Sequence, residues 1–248
     1  MPWIDLPNGP LPGIRARMRE ERPWYQCKNV ASDEAELLLY EEIGGWDGTL
    51  AEDFLAELKT ITAPKLKVRV SSPGGAVFEG LAIANALRSH PAEVTCQVDG
   101  LAASIASVIA LAGDRLVMSP NSMLMVHEAA GCCLGNASDM QQMAELLDKI
   151  SDNIAGAYAS KAGGSVDDWR AAMRQETWYS ADEAVAAGLA DEVAQQPRRA
   201  QPGMPEPDED DAPMAARWDL SVFRYAGRAA APSPNPVSRA ATGGIVTD

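Results

Sequence analysis

Histidine is almost missing from this sequence. His90 and His127 are the only two in 248 residues, which excludes a multi-histidine metal centre. Cysteine is sparse too. Cys27, Cys96, Cys132 and Cys133 are too few for a disulfide scaffold, and none stands in a C-x-x-C spacing, so no structural zinc site is expected. Basic residues fall short of acidic ones, 21 Lys and Arg against 35 Asp and Glu, a net charge of −14. Such a charge repels nucleic acid and anionic membranes, and neither is expected as a partner. Long apolar runs are absent. The longest stretch, residues 105–112, is too short to span a bilayer, and no secretory h-region stands near the N-terminus. There is no internal repeat. These absences leave an acidic globular protein of a reducing compartment, with a cytoplasmic location expected. Apolar residues make up 46% of the chain, enough for a substantial core in one large domain or two small ones.

Composition shifts at both ends. Residues 1–23 are rich in proline and carry Arg15, Arg17, Arg19 and Arg22; they read as a flexible leader. After Gln196 the chain holds eight of its 17 prolines and the acidic run Glu206, Asp208, Glu209, Asp210 and Asp211. That composition buries too little apolar surface to offset the entropy of ordering, so residues 197–248 are expected to be a disordered tail. Residues 218–225 are its more apolar stretch, either unstructured or a docking peptide. Residues 24–196 form the expected folded domain.

Within that domain strand and helix patterns alternate. Residues 36–40 read as a strand, 50–60 as a helix, 66–70 as a strand, 78–89 as a helix and 94–98 as a strand. An apolar helix over 104–112 follows, then strands at 116–118 and 123–127. Residues 138–161 read as one long helix, with Ser138 and Gln141 as a capping box and Gly163-Gly164 as its stop. At 1.5 Å per residue it is about 35 Å long and is expected to project from the body. The β-α-β-α order implies an α/β protein with a mostly parallel sheet.

Three features can carry chemistry. Ser71-Ser72-Pro73-Gly74-Gly75 follows a strand, and its glycines permit a turn whose backbone amides converge on developing negative charge. An ordinary strand-to-helix turn is the alternative. Gly100-Leu101-Ala102-Ala103-Ser104 crowds small residues at a strand-to-helix junction, where Ser104 is either a helix N-cap or a reactive hydroxyl. His127 ends an apolar strand, as a hydrogen-bonded core residue or a base. His90, before Pro91 at a helix C-terminus, reads as structural, so His127 is the one partner for a nucleophilic serine. Cys132 and Cys133 read as two loop thiols rather than a strained vicinal disulfide.

In chain order these blocks resemble one family. Ser72-Pro73-Gly74-Gly75-Ala76-Val77-Phe78-Glu79-Gly80, Gly100 to Ser104, Pro120-Asn121-Ser122 and Val126-His127 are similar to the Clp-type serine peptidases, the ClpP family. Ser180-Ala181-Asp182-Glu183-Ala184 with Gly188-Leu189-Ala190-Asp191-Glu192 resembles its C-terminal signature. Pro23-Trp24-Tyr25 and Ile43-Gly44 resemble the branch of phage head maturation proteases. The resemblance implies a crotonase-like β-α spiral with a projecting handle helix, here residues 138–161. It also implies a serine endopeptidase with no cofactor and no metal, assembled as heptameric or stacked homo-oligomeric rings. Ser104 matches the nucleophile, His127 the general base, and the amides of Gly75 and Ile105 the oxyanion hole. The family's Asp is replaced by Glu176, with Asp168 and Asp182 as other candidates for the third member. Met1 to Pro23 does not resemble the family's axial-loop segment, which argues against an ATPase unfoldase partner. Capsid or scaffold proteins are then the expected substrates, in host cytoplasm or prohead. An ATP-dependent Clp proteolytic subunit, a crotonase-type acyl-CoA enzyme and a non-catalytic scaffold of the same fold are the other readings.

Overall fold

Two neighbouring parallel strands, β3 (Lys65–Ser72) and β4 (Glu93–Ala103), form the spine of the sheet. In β3, Leu66, Val68 and Val70 are fully buried while Lys67 and Arg69 alternate with them, the period-two pattern of a strand. The computed structural model describes residues 25–31, 33–44, 51–195 and 220–237. The expected leader, residues 1–23, lies outside them.

The other strands are β1 (Tyr25–Ala31), β2 (Glu34–Leu39), β5 (Arg115–Met118), β6 (Met123–Val126), β7 (Thr177–Ser180) and β8 (Glu192–Val193). They run in the order β1-β2-β3-β4-β5-β8, with β6 and β7 branching off β4. Pairing is parallel except for β1 with β2 and β6 with β7. The α/β architecture and mostly parallel sheet are those expected from the alternating pattern.

Strand β4 runs five residues past the expected end at Val98. Its first part, Thr95 to Val98, pairs with β5, and Leu101 to Ala103 pair with β6. The small residues placed at the strand-to-helix junction are thus strand up to Ala103, because a second partner continues the ladder where the first leaves off.

Helices α3 (Ile105–Ala110), α5 (Val166–Arg174) and α6 (Ala181–Ala187) contact the sheet, while α2 (Val77–Arg88) packs on α3 and α1 (Ala51–Thr60) on α2. One main core holds Leu37, Leu39, Phe54, Ile83, Leu87 and Trp169, all essentially without exposure. Among the described residues no helix is long and apolar enough to cross a membrane.

The long helix α4 (Ala137–Ala162) starts earlier than expected. Its cap is Asn136, whose Oδ1 accepts from the amides of Ser138 (2.8 Å) and Asp139 (3.2 Å). Asp139 returns the bond to the Asn136 amide at 2.8 Å. Ser138, expected as the cap, falls inside the first turn instead. The carboxyl half of α4 buries Ser151, Ile154, Ala155 and Tyr158, while Met140 and Leu146 in its amino half are each 44% exposed. The amino half therefore stands away from the core.

Candidate active site

Three adjacent strand ends bring the expected residues together. Ala103 of β4 pairs with Met125 of β6, and Val126 of β6 pairs with Thr177 of β7. Ser104 follows β4, His127 follows β6, and Glu176 precedes β7. In the antiparallel β6–β7 register Glu176 stands one step beyond the last pair, opposite His127.

Ser104 occupies the N-cap position of α3 but does not cap it. Its backbone has φ 55°, a left-handed conformation in a residue other than glycine. Holding it costs about 1–3 kcal/mol and needs fixed surroundings. The Ser104 amide donates to the Met125 carbonyl at 3.0 Å, and its own carbonyl accepts from the Ser107 amide at 3.0 Å and the Ser107 hydroxyl at 2.5 Å. With the backbone clamped, the side chain is free of capping duty, and Ser104 Oγ lies 2.7 Å from His127 Nε2.

His127 is half-buried, and burial pushes its imidazole below the ordinary 6.5, opposed by the charges of Glu176 and then Glu128. The ring is therefore held neutral, the form that accepts a proton. His90 lies apart: its Nδ1 accepts from the Ala92 amide at 3.2 Å and its Nε2 meets the Leu58 carbonyl at 3.3 Å. Both ring nitrogens of His90 are engaged, and the Nε2 contact ties α1 to the end of α2.

The glycine turn after β3 reaches the same place. A Cβ on Gly74 would stand 2.7 Å from Ser104 Cβ and 3.2 Å from the Ile105 nitrogen. Gly75 has φ 149° and forms a parallel bridge with Ile43, and a Cβ there would lie 2.1 Å from the Ile43 oxygen. Only glycine fits both positions. The bridge bonds run from Ile43 N to Gly74 O and from Ala76 N to Ile43 O, both 2.8 Å. Gly75's own N–H therefore points away from Ile43. The Ile105 amide, first in α3, has no partner within its helix. Ser72 fixes the turn from within, its hydroxyl donating to the Glu41 carbonyl at 2.6 Å and accepting from the Gly74 amide at 3.1 Å.

The third-member candidates are placed differently. Asp168 lies in the first turn of α5 as the second member of its capping box, accepting from the amide (3.0 Å) and hydroxyl (2.7 Å) of the N-cap Ser165. Asp182 is exposed in the first turn of α6. Glu176, with φ 53°, accepts from the Trp178 indole at 3.1 Å. It also accepts from the backbone amides of Arg224 (2.8 Å) and Tyr225 (3.0 Å). Among the described residues no hydrogen bond joins it to His127.

Those amides correct an expectation. Residues 220–237 of the tail expected to be disordered are packed on the body, while residues 197–219 and 238–248 lie outside the described residues. Leu220, Phe223, Tyr225 and Ala231 cover a small cluster of Leu101, Ala103, Met125 and Trp178. Composition averages over the segment and misses these few anchors. The apolar stretch at 218–225, read as a candidate docking peptide, was the signal for them. Arg228 and Glu183, which pair here, carried no separate signal.

The family model for Clp protease matches residues 18–197. A protein of Chlorella vulgaris named ATP-dependent Clp protease proteolytic subunit is 30% identical over 199 residues, 77% of this chain and 95% of that protein. Proteins of the same name from two strains of Bacteroides fragilis are 33% identical over 130 residues, 52% of this chain and 63% and 59% of theirs. With strand ends, glycine turn and sequence all in agreement, this chain belongs to the Clp protease family of serine peptidases.

Proposed function

We propose that the chain hydrolyses peptide bonds by acyl transfer through Ser104 and His127, and that it serves as a head maturation protease of phage type. The observation that carries the chemistry is the 2.7 Å contact between Ser104 Oγ and His127 Nε2 at a clamped, positive-φ serine. A serine hydroxyl is a weak nucleophile until a base takes its proton during attack. His127 Nε2 takes that proton as Oγ bonds to the carbonyl carbon of the substrate. The oxyanion then accepts from the amides of Gly75 and Ile105; one such donor is worth about 3–4 kcal/mol in the transition state. His127 next gives the proton to the leaving amine, the C–N bond breaks, and an acyl-enzyme remains on Ser104. Water, deprotonated by the same ring, releases the acid. Glu176 is the carboxylate that would face the other ring nitrogen, holding the tautomer and stabilising the imidazolium. Glu is one methylene longer than the family's Asp.

A fluorophosphonate probe tests the assignment. Covalent labelling is expected in the natural chain and absent in Ser104→Ala, with peptide hydrolysis down by at least about a thousandfold. Undiminished labelling of Ser104→Ala would reject the nucleophile.

The maturation role is supported by Pro23-Trp24-Tyr25 and Ile43-Gly44, and implies capsid or scaffold proteins as substrates within a homo-oligomeric ring. The second reading, a proteolytic subunit of an ATP-dependent Clp protease, is favoured by the names of the relatives. Product analysis after mixing with the candidate capsid protein separates them. Discrete cleavage without ATPase supports maturation; degradation of a folded substrate only when an unfoldase and ATP are added supports the second.

A further inference from the structure

The chain's own C-terminal segment lies on the strand ends that carry the site. Three independent contacts hold it. The first is backbone: the Arg224 and Tyr225 amides both end on the Glu176 carboxylate, at 2.8 and 3.0 Å. The second is apolar. Phe223 stands edge-on to His127, with ring centroids 5.8 Å apart, and edge-on to Trp178 at 5.9 Å. The third is an ion pair: the Arg228 guanidinium grips both oxygens of Glu183 at 2.5 and 2.6 Å. Around it, Gly227 is buried with φ 109°, Arg228 N lies 3.3 Å from Met123 Sδ, and a 3-10 turn (Arg228–Ala230) ends the anchor.

We propose, on the serine-peptidase reading above, that residues 220–237 form a built-in strap that holds this site idle by occupying it. The strap engages Glu176 through its own backbone amides, so the carboxylate is not joined to His127. Phe223 fills the apolar space beside the imidazole, where a side chain of an incoming polypeptide would go. The segment is thus an intramolecular competitor of substrate. Its grip is releasable by construction. Among the described residues it adds no strand to the sheet; its contacts include two amide bonds to Glu176, one from the Arg228 amide to Met123 Sδ, one partly exposed ion pair and a few apolar side chains. Such a grip suffices because a tethered segment acts at an effective concentration of the order of millimolar. Anything that removes or captures residues 220–237 would open the site.

The test uses the full chain and two variants, Arg228→Glu and Phe223→Ser, neither in the bond-breaking machinery. Arg228→Glu sets like charges against each other at Glu183; Phe223→Ser empties the space beside His127. Two readouts are taken: amide hydrogen exchange at Arg224 and Tyr225, and the rate of labelling by a fluorophosphonate. The expected result is protected amides in the natural chain, exchange at least tenfold faster in both variants, and labelling about tenfold faster or more. Amides already unprotected in the natural chain would overturn the strap. So would faster exchange with labelling unchanged from a natural chain that labels readily, which is docking without inhibition. If exchange accelerates while no form labels at any dose, the nucleophile assignment has failed, and the strap falls with it for that separate reason.

Discussion

An imidazole can take a proton from serine only while it is itself unprotonated, and burial works on His127 in that direction. Its value is pushed below 6.5 by loss of water, a shift only partly reversed by Glu176 and Glu128. The sign follows: above 6.5 the ring is neutral and competent, and activity is lost as pH falls through the depressed value. The kcat/KM profile for a short peptide is therefore expected to have its acid limb centred below 6.5. An acid limb centred above 6.5 would show that the ring is solvated or carboxylate-dominated in the working enzyme. Gly75 makes a second residue-level case. Its added Cβ would meet the Ile43 oxygen at 2.1 Å, far inside contact, and its φ of 149° disfavours any side chain. Gly75→Ala is expected to break the bridge to Ile43, displace the donor beside Ser104, and lower both melting temperature and peptide hydrolysis. A variant with full activity would remove Gly75 from the oxyanion hole.

Between elements, the clamp on Ser104 is shared by α3 and α4. Ser107 has one hydroxyl proton, which it donates to the Ser104 carbonyl at 2.5 Å. The 2.7 Å bond between Ser107 Oγ and Tyr158 OH must then be donated by the tyrosine. Tyr158 is fully buried, and burial drives its phenol well above the ordinary range, so it stays protonated as a donor at any working pH. The asymmetry predicts two different costs. Tyr158→Phe deletes a donor whose acceptor is otherwise engaged and is expected to cost about 1 kcal/mol. Ser107→Ala strands a buried phenol and loosens the Ser104 carbonyl, for about 1–3 kcal/mol and a larger loss of hydrolysis. Urea denaturation of both variants checks the order; equal costs would refute it. This bond is also where sequence reading stops. Ser104, His127 and the glycine turn stood out as candidates because each sits at a punctuated junction after an apolar strand, but local pattern left their alternatives open, and their roles came only from the family resemblance. The partner of Ser107 lies 51 residues away on a helix face, and nothing local in either segment names the other. Glu176 was found only by its offset from Ser180; its place opposite His127 follows from a four-residue antiparallel strand too short to carry a pattern. The strap failed for the opposite reason. Its prolines and charges argue for disorder, and only the assembled β4, β6 and β7 ends create the surface that orders it.

At the scale of the molecule, α4 is divided. Its carboxyl half is anchored in the core through Ile154, Ala155 and Tyr158, and the base of the helix is pinned by Arg170, which bonds Asp148, Asp152 and Glu128 at 2.7–2.9 Å. The amino half leaves Met140 and Leu146 at 44% exposure, and Leu134 just before the helix at 74%. A helix whose apolar residues recur at three- and four-residue spacing yet face water on a projecting half is incomplete as a monomer. A second copy of the chain is the simplest cover, and it accords with the ring assembly proposed above. Light scattering at micromolar concentration is expected to give a mass several times the 26.4 kDa of one chain. Replacing Met140→Glu and Leu146→Glu together would place charge on the exposed half without touching the buried one. That double variant is expected to keep its melting behaviour as a folded subunit while its mass falls toward one chain. A natural chain that is already monomeric would leave the exposed half of α4 without a partner of its own kind, and the ring would have to be abandoned.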